Sequence, residues 1–176
     1  MAKVTFDVAF DRVVGHEGGF QNDPDDRGNW TTGIIGQGEN RGTKFGISAM
    51  SYPTLDIKNL TVEGAKLIYK RDFWDRAKAD QYDSAIAYQM FDYAINHGNG
   101  NAVRMLQRAV GVADDGQIGP ASLGAVNKMS ISDVIMRLSA QRLKFIAKLT
   151  TFTKYGAGWV NRTARNLEFG AEDNDV

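Results

Sequence analysis

HEGGFQNDPDDRGNWTTGIIGQGENRGTKFGIS, residues 16–48, crowds carboxylates, glycines and hydroxyls between two segments of helical periodicity, and its reading decides the fold. The run before it, Thr5 to Glu17, sets Phe6, Phe10, Val13 and Val14 at helical spacing with Thr5 as cap, and predicts that Glu17 closes the helix on the same apolar stripe. A carboxylate on an apolar face is misplaced unless it is used. Gly18 and Gly19 follow at once, expected to end the helix and to let backbone or ligand come close beside that carboxylate. From Phe20 to Ile47 glycine and asparagine dominate, with short apolar pieces at Thr32 to Ile35 and Lys44 to Ile47, which reads as loop plus a small hairpin.

Outward from there the chain turns helical. Ser48 and Ser51 suit a short helical turn, broken before Pro53. Thr61 is the cap of a helix expected to run to about Asp75, and Asp83 caps a wide apolar stripe of Ile86, Ala87, Met90, Phe91, Ala94 and Ile95, predicted to be the most buried helix. Asn101 is taken to start the next helix, which Gly111 stops; ADDGQIGP then turns on Asp115-Gly116 and launches a helix from Pro120. Ser132 is expected to cap a longer helix, a last one should cover Trp159 to Leu167, and the acidic tail AEDNDV should fray. The class expected is mainly α (α+β), with one small β-hairpin in the N-terminal third.

Bulk numbers narrow the function. With 43% hydrophobic and 24% charged residues, the 176-residue chain has an ordinary globular composition, enough for one domain or two small lobes. Lys plus Arg and Asp plus Glu number 21 each, so no net field draws it to nucleic acid or an anionic membrane. Absence of cysteine removes disulfides, thiolate metal sites and cysteine nucleophiles together. Asp7, Asp11 and Arg12 interrupt the first apolar run, giving an amphipathic helix and not a signal peptide, and no stretch has the length of a membrane span.

Glu17 and Asp26, across a glycine-bearing loop, offer the carboxylate pair that glycoside hydrolysis uses: one held protonated by an apolar setting, the other hydrated and ionised. On that pattern Glu17 is the acid and Asp26 its partner. A plainer account, favoured by spacing alone, has Glu17 capping loop amides while Asn22, Asp23 and Asp25 make Asx turns. NDPDDRG fails the EF-hand pattern because Arg27 and Ile34 fall at ligand positions, and the two histidines, His16 and His97, are too few for a zinc site. No metal is expected. G-x-S-x-G is absent, so a serine triad has no support.

The motifs His16-Glu17-Gly18-Gly19-Phe20, Asn22-Asp23-Pro24, Asp26-Arg27-Gly28 and Thr43-Lys44-Phe45-Gly46-Ile47-Ser48, followed by SYPTLDIKNLT, closely resemble the phage endolysins and secretion-activator muramidases of glycoside hydrolase family 108. Arg71-Asp72-Phe73-Trp74-Asp75 and FDYAINHG extend the likeness, and LQRAVGVADDGQIGP is similar to the peptidoglycan-binding region that accompanies the family. The resemblance implies a lysozyme-like helical fold and cleavage of the β-1,4 bond between N-acetylmuramic acid and N-acetylglucosamine, with Glu17 as catalytic acid, Asp26 as the D-x-G aspartate and Thr43 as the T-x-x-G-I threonine. Many members run from D-x-G-G almost directly to that threonine, whereas this chain inserts NWTTGIIGQGENRG, Asn29 to Gly42. The spacing of Glu, Asp and Thr in the lysozymes of T-even phages would select Thr32 instead, and Thr31 stands beside it.

Tyr93 and Asn96, three apart at the end of the buried helix, are candidates to hydrogen-bond an N-acetyl sugar, although core packing and helix capping account for them equally. Trp30 is a candidate stacking platform because it lies in the insertion. ADDGQIGP is explained as a turn and a proline-started helix without a ligand. The expected organisation is a lysozyme-like catalytic region, residues 1–80, and a helical region resembling a peptidoglycan-binding domain, residues 81–176, packed as one globule. The expected partner is the peptidoglycan glycan strand, with no cofactor, no nucleic acid and no membrane insertion, the chain acting as a monomer. It is expected to be made in the bacterial or host cytoplasm without a signal peptide and to reach the periplasmic wall after release. Alternatives are a lytic transglycosylase, which needs one glutamate but no water-positioning aspartate, and a non-catalytic wall-binding module.

Overall fold

The computed structural model describes residues 4–15 and 18–174. Seven α-helices and one two-stranded antiparallel sheet appear among them, α1 Phe6–Val14, β1 Thr43–Lys44, β2 Ile47–Ser48, α2 Val62–Tyr69, α3 Ser84–His97, α4 Asn99–Val110, α5 Pro120–Asn127, α6 Ile131–Ile146 and α7 Phe152–Asn174. The fold is mainly α with a small hairpin, of lysozyme-like type. Two compact units divide the chain, Phe10–Lys70 and Met1–Ala9 with Arg71–Val176, the first break falling inside α1. They are called the loop unit and the helical unit below.

In the loop unit, the hairpin pairs Thr43 with Ser48 and Lys44 with Ile47 around a two-residue loop, Phe45-Gly46. Both loop residues have positive φ, 52° and 74°, the type I′ geometry whose twist matches a tight hairpin. Phenylalanine rarely accepts such a φ. The Tyr69 hydroxyl holds it there by donating to the Phe45 carbonyl at 2.9 Å, and a Cβ on Gly46 would meet that hydroxyl at 2.5 Å. Phe10 packs edge-on against Tyr69, and Ile47, Ala49, Ile57, Ala65 and Ile68 complete the small core. Thr61 caps α2 by accepting from Gly64 N at 3.0 Å.

The helical unit is organised around α3, on which Ser84 through Ala94 are all buried. A helix covered on every side shows little amphipathic contrast, which is why its stripe is wide. Asp83 caps it through Ala85 N at 3.0 Å. Phe6, Trp74 and Phe91 form a cluster of edge-to-face rings with centroids 5.5 to 5.7 Å apart, and Trp74 Nε1 donates to Asp80 at 2.8 Å. Gly111, at φ 76°, stops α4, and Pro120 opens α5.

Several expected boundaries move. α1 ends at Val14 because Gly15 takes φ 61°, so the glycine stop comes before His16 and not at Gly18-Gly19; His16 and Glu17 lie outside the described residues. The helix after Thr61 does not stay α-helical to Asp75 but widens into a π-turn over Lys70–Trp74. Ser130, not Ser132, caps α6 by accepting from Asp133 N at 3.1 Å; α4 begins at Asn99 and not at Asn101, whose amide donates to the His97 carbonyl. α7 runs from Phe152 through the acidic segment to Asn174, where frayed chain is expected, because Asn174 Nδ2 donates to Ser132 Oγ at 2.9 Å and Asp173 is buried.

Candidate active site

Asp26 is exposed and caps the short 3₁₀ helix Arg27–Asn29, its Oδ1 accepting from Gly28 N at 2.8 Å. Its second oxygen accepts from Gln21 Nε2 at 3.0 Å. Gln21 is joined to Asn29 by a reciprocal amide pair: Gln21 Nε2 donates to Asn29 Oδ1 at 3.1 Å, and Asn29 Nδ2 donates to Gln21 Oε1 at 2.7 Å. Asp23 fixes the orientation of both amides. Its N–H can meet only an oxygen and donates to Gln21 Oε1 at 3.0 Å, while its carbonyl can meet only a donor and accepts from Asn29 Nδ2 at 2.9 Å. With Oε1 so placed, Nε2 faces Asp26.

Thr43 enters the same network. Its hydroxyl donates to Asn29 Oδ1 at 2.7 Å, so a path of hydrogen bonds runs Thr43, Asn29, Gln21, Asp26. Backbone pairing holds the ends in register, since Gln21 and Thr43 exchange both N–H···O bonds, at 2.9 and 2.8 Å. Phe45 N donates to Gly18 O at 2.9 Å, and a Cβ on Gly18 would come within 2.6 Å of the Phe45 Cα. The residue directly after Glu17 is therefore laid on the hairpin, and only glycine fits there.

The inserted segment closes on itself. Trp30 and Asn40 form an antiparallel bridge, Thr31 N donates to Glu39 O at 3.0 Å, and Arg41 N and Gly42 N both donate to Asn29 O. Thr32 is spent inside this loop, its hydroxyl donating to Gln37 O at 2.8 Å, and Thr31 Oγ1 accepts from Glu39 N at 3.1 Å. Asn29, read from sequence as the first inserted residue, is fully buried at 0% exposure and is the centre of the Asp26 network. Trp30 is half-buried, its Nε1 donating to Pro24 O at 2.9 Å.

The remaining candidates belong to the helical unit. Tyr93 has 0% exposure, its hydroxyl donating to Ser139 Oγ at 3.3 Å and its ring facing the Arg142 guanidinium at 4.4 Å; burial pushes the phenol's pKa up. Those are the contacts of a core residue and leave no surface for a sugar. Asn96 is exposed, with its Nδ2 donating to Asp92 O at 2.7 Å. The structure thus brings Asp26 and Thr43 together through two amides, and places Tyr93 and Asn96 on α3.

Gln21 and Asn29 carry no distinctive sequence signal beyond flanking NDPDDRG, because polar residues in a loop read as solvated. A second unannounced feature is Asp92, fully buried, with Arg142 Nη1 at 2.8 Å, Arg162 Nε at 2.8 Å and Asn166 Nδ2 at 2.7 Å all donating to it. Arg142 Nε also donates to His97 Nε2 at 3.1 Å, which requires that nitrogen to be unprotonated. Burial, then the charge of Arg142, lowers His97 to a pKa of about 4. In the 107–122 region, buried Gln107 donates to Asp115 Oδ1, Gln117 O and Ser122 Oγ and accepts from Gly116 N, so the ADDGQIGP turn is satisfied internally.

Comparison with known proteins bears on this geometry. Residues 10–98 match the family Glycosyl hydrolase 108, and residues 101–164 match Predicted Peptidoglycan domain. The solved structure of SagA from Brucella abortus is similar at 31% sequence identity and a TM-score of 0.80, over 98% of this chain and 97% of that one. No curated protein matches.

Proposed function

We infer the division of labour in the site from one premise: the chain belongs to the glycosyl hydrolase 108 family and is a muramidase, a glycoside hydrolase of peptidoglycan. In the proposed reaction Glu17 protonates the leaving glycosidic oxygen, and Asp26 orients the attacking water or supports positive charge at the anomeric carbon. Thr43 positions that water: its hydroxyl hydrogen is given to Asn29, so its lone pairs remain to accept from water. Gln21 and Asn29 are positioning residues that act through Asp26 and Thr43. The observation that carries this reading is the continuous path Thr43, Asn29, Gln21, Asp26. Thr32 has no such connection, its hydroxyl being given to the Gln37 carbonyl. Trp30 and Asn96 stand as proposed sugar contacts, whereas Tyr93, with 0% exposure, packs in the core and is not proposed as one.

The finer setting proposed is that of a phage-type endolysin, reaching the periplasmic wall after release and acting as a monomer; it rests on the motif likeness. Turbidity loss with permeabilised Gram-negative cells, coupled to end-group analysis, tests the mechanism. Hydrolysis yields new reducing ends, whereas anhydro ends would identify a transglycosylase. Folded Glu17→Gln should lose a factor of roughly 10² to 10⁴ in rate, the usual worth of a positioned general acid. Lysis by that variant near the wild-type rate would overturn the assignment.

A further inference from the structure

The extended backbone at residues 20–22 has two faces. Gln21 points to Asp26 and Asn29, so Phe20 and Asn22 point the other way by the period-two alternation of paired extended chain. On that reverse face lies a cavity of about 440 Å³, lined among others by Phe20, Asn22, Asn40, Arg41, Asp56 and Lys58.

Its wall is chemically specific. Asn40 Nδ2 is committed to the Asn22 carbonyl at 3.0 Å, but Asn40 Oδ1 is buried with no hydrogen-bond partner among the described residues, an acceptor that only a donor can satisfy. Arg41 is immobilised by Glu39 at 2.6 Å and the Pro53 carbonyl at 3.0 Å. Asp56 is tied to Asn59, and the Lys58 ammonium makes no hydrogen bond or ion pair among the described residues. Glu39 thus neutralises Arg41, and Lys58, which acts on Asp56 only through space, is the cavity's cation open to a ligand. Phe20, 37% exposed, and half-buried Leu55 add apolar surface.

A neutral sugar chain would use the aromatic face and the open acceptor but not the Lys58 ammonium. A short peptide ending in a carboxylate uses all three. We propose that this reverse-face cavity binds the carboxylate-bearing peptide stem of peptidoglycan, a stem N–H donating to Asn40 Oδ1, a stem carboxylate meeting Lys58 and aliphatic stem side chains lying on Phe20. The proposal rests on peptidoglycan being the substrate, and it makes stem-bearing strands better substrates than bare glycan.

The full-length wild type and the variants Lys58→Gln and Lys58→Arg would be assayed on intact sacculi and on sacculi whose stems an amidase has removed. Titration with the free stem tetrapeptide, followed by NMR, reads binding independently of turnover. Lys58→Gln should raise KM on intact sacculi by about tenfold, the worth of one charge-assisted hydrogen bond, with kcat unchanged. It should match wild type on stripped strands and lose the tetrapeptide shifts, and Lys58→Arg should restore both. Equal losses on both substrates would mean a glycan contact or a structural role, and unchanged kinetics with no tetrapeptide binding by wild type would mean an unoccupied cavity; either overturns the proposal. A wild type that binds tetrapeptide but cleaves neither substrate would instead sink the proposed mechanism and leave the cavity's ligand standing.

Discussion

Asp26 in the loop unit is exposed and receives hydrogen bonds from a neutral side-chain amide and a backbone N–H, whereas Asp92 in the helical unit is fully buried and receives them from two arginines and an asparagine. The two aspartates contrast a carboxylate proposed to take part in the reaction with one that sits in the interior. Cations neutralise Asp92 and let it lie in the interior, where breaking the set would strand a charge. Neutral donors hold Asp26 in place and leave it open to water, which suits the role proposed for it of supporting developing positive charge.

The sharpest way to break this contrast is to neutralise Asp92. Asp92→Asn leaves Arg142, with 1% side-chain exposure, without its buried counter-charge and should cost about 3–5 kcal/mol of stability. Denaturant unfolding measures it. Activity per folded molecule should survive, and a variant as stable as wild type would show the cluster to be idle. The mirror experiment is Asp26→Asn, expected to cut turnover by roughly a hundredfold while changing stability by less than about 1 kcal/mol, since the site is exposed. Equal damage to folding and rate would make Asp26 a mere turn residue.

Thr43→Val and Thr32→Val refine the comparison within the loop unit. Thr43→Val removes the hydroxyl at the head of the amide path and should lose roughly tenfold in kcat through misplaced water, with KM little moved. Thr32→Val should weaken only its own loop. A reversed result would assign the water to the inserted segment.

A loss confined to acid pH belongs to His97. Its folded pKa of about 4 lies below the ordinary 6.5, so between those pH values the unfolded chain binds a proton that the folded chain refuses. Stability is therefore full above about pH 6.5 and falls as pH drops toward 4. Melting temperatures across that window should show the loss, and His97→Gln should flatten it.

Local chemistry was legible in the sequence. Thr61, Asp83, Gly111 and Pro120 do at helix ends what their residue types predict, and the small hairpin expected near Lys44 to Ile47 is there, formed by Thr43-Lys44 and Ile47-Ser48 while Thr32 to Ile35 stays turn. Asp26 and Thr43 could be singled out because their flanking motifs are specific, but nothing local marks Gln21 or Asn29. Their importance comes from the Gln21–Thr43 backbone pairing, which brings distant loop residues into register. Asp92 and Arg142 are likewise fifty residues apart in sequence. Helix ends failed where a neighbour overruled propensity: α7 outlasts its acidic composition because Asn174 finds Ser132. α1 stops early because Gly15, passed over beside Gly18-Gly19, adopts the left-handed conformation.

The inserted loop is tied at its neck, where Arg41 and Gly42 donate to the Asn29 carbonyl and Trp30 pairs with Asn40. A segment fastened so close to its two ends transmits little of what happens at its tip, and loop closure costs grow only slowly with length. The neck acts as a splice point. An engineer grafting a new recognition sequence between Thr31 and Glu39 would keep that neck and would have to retain the close seat of Gly33 on Met50.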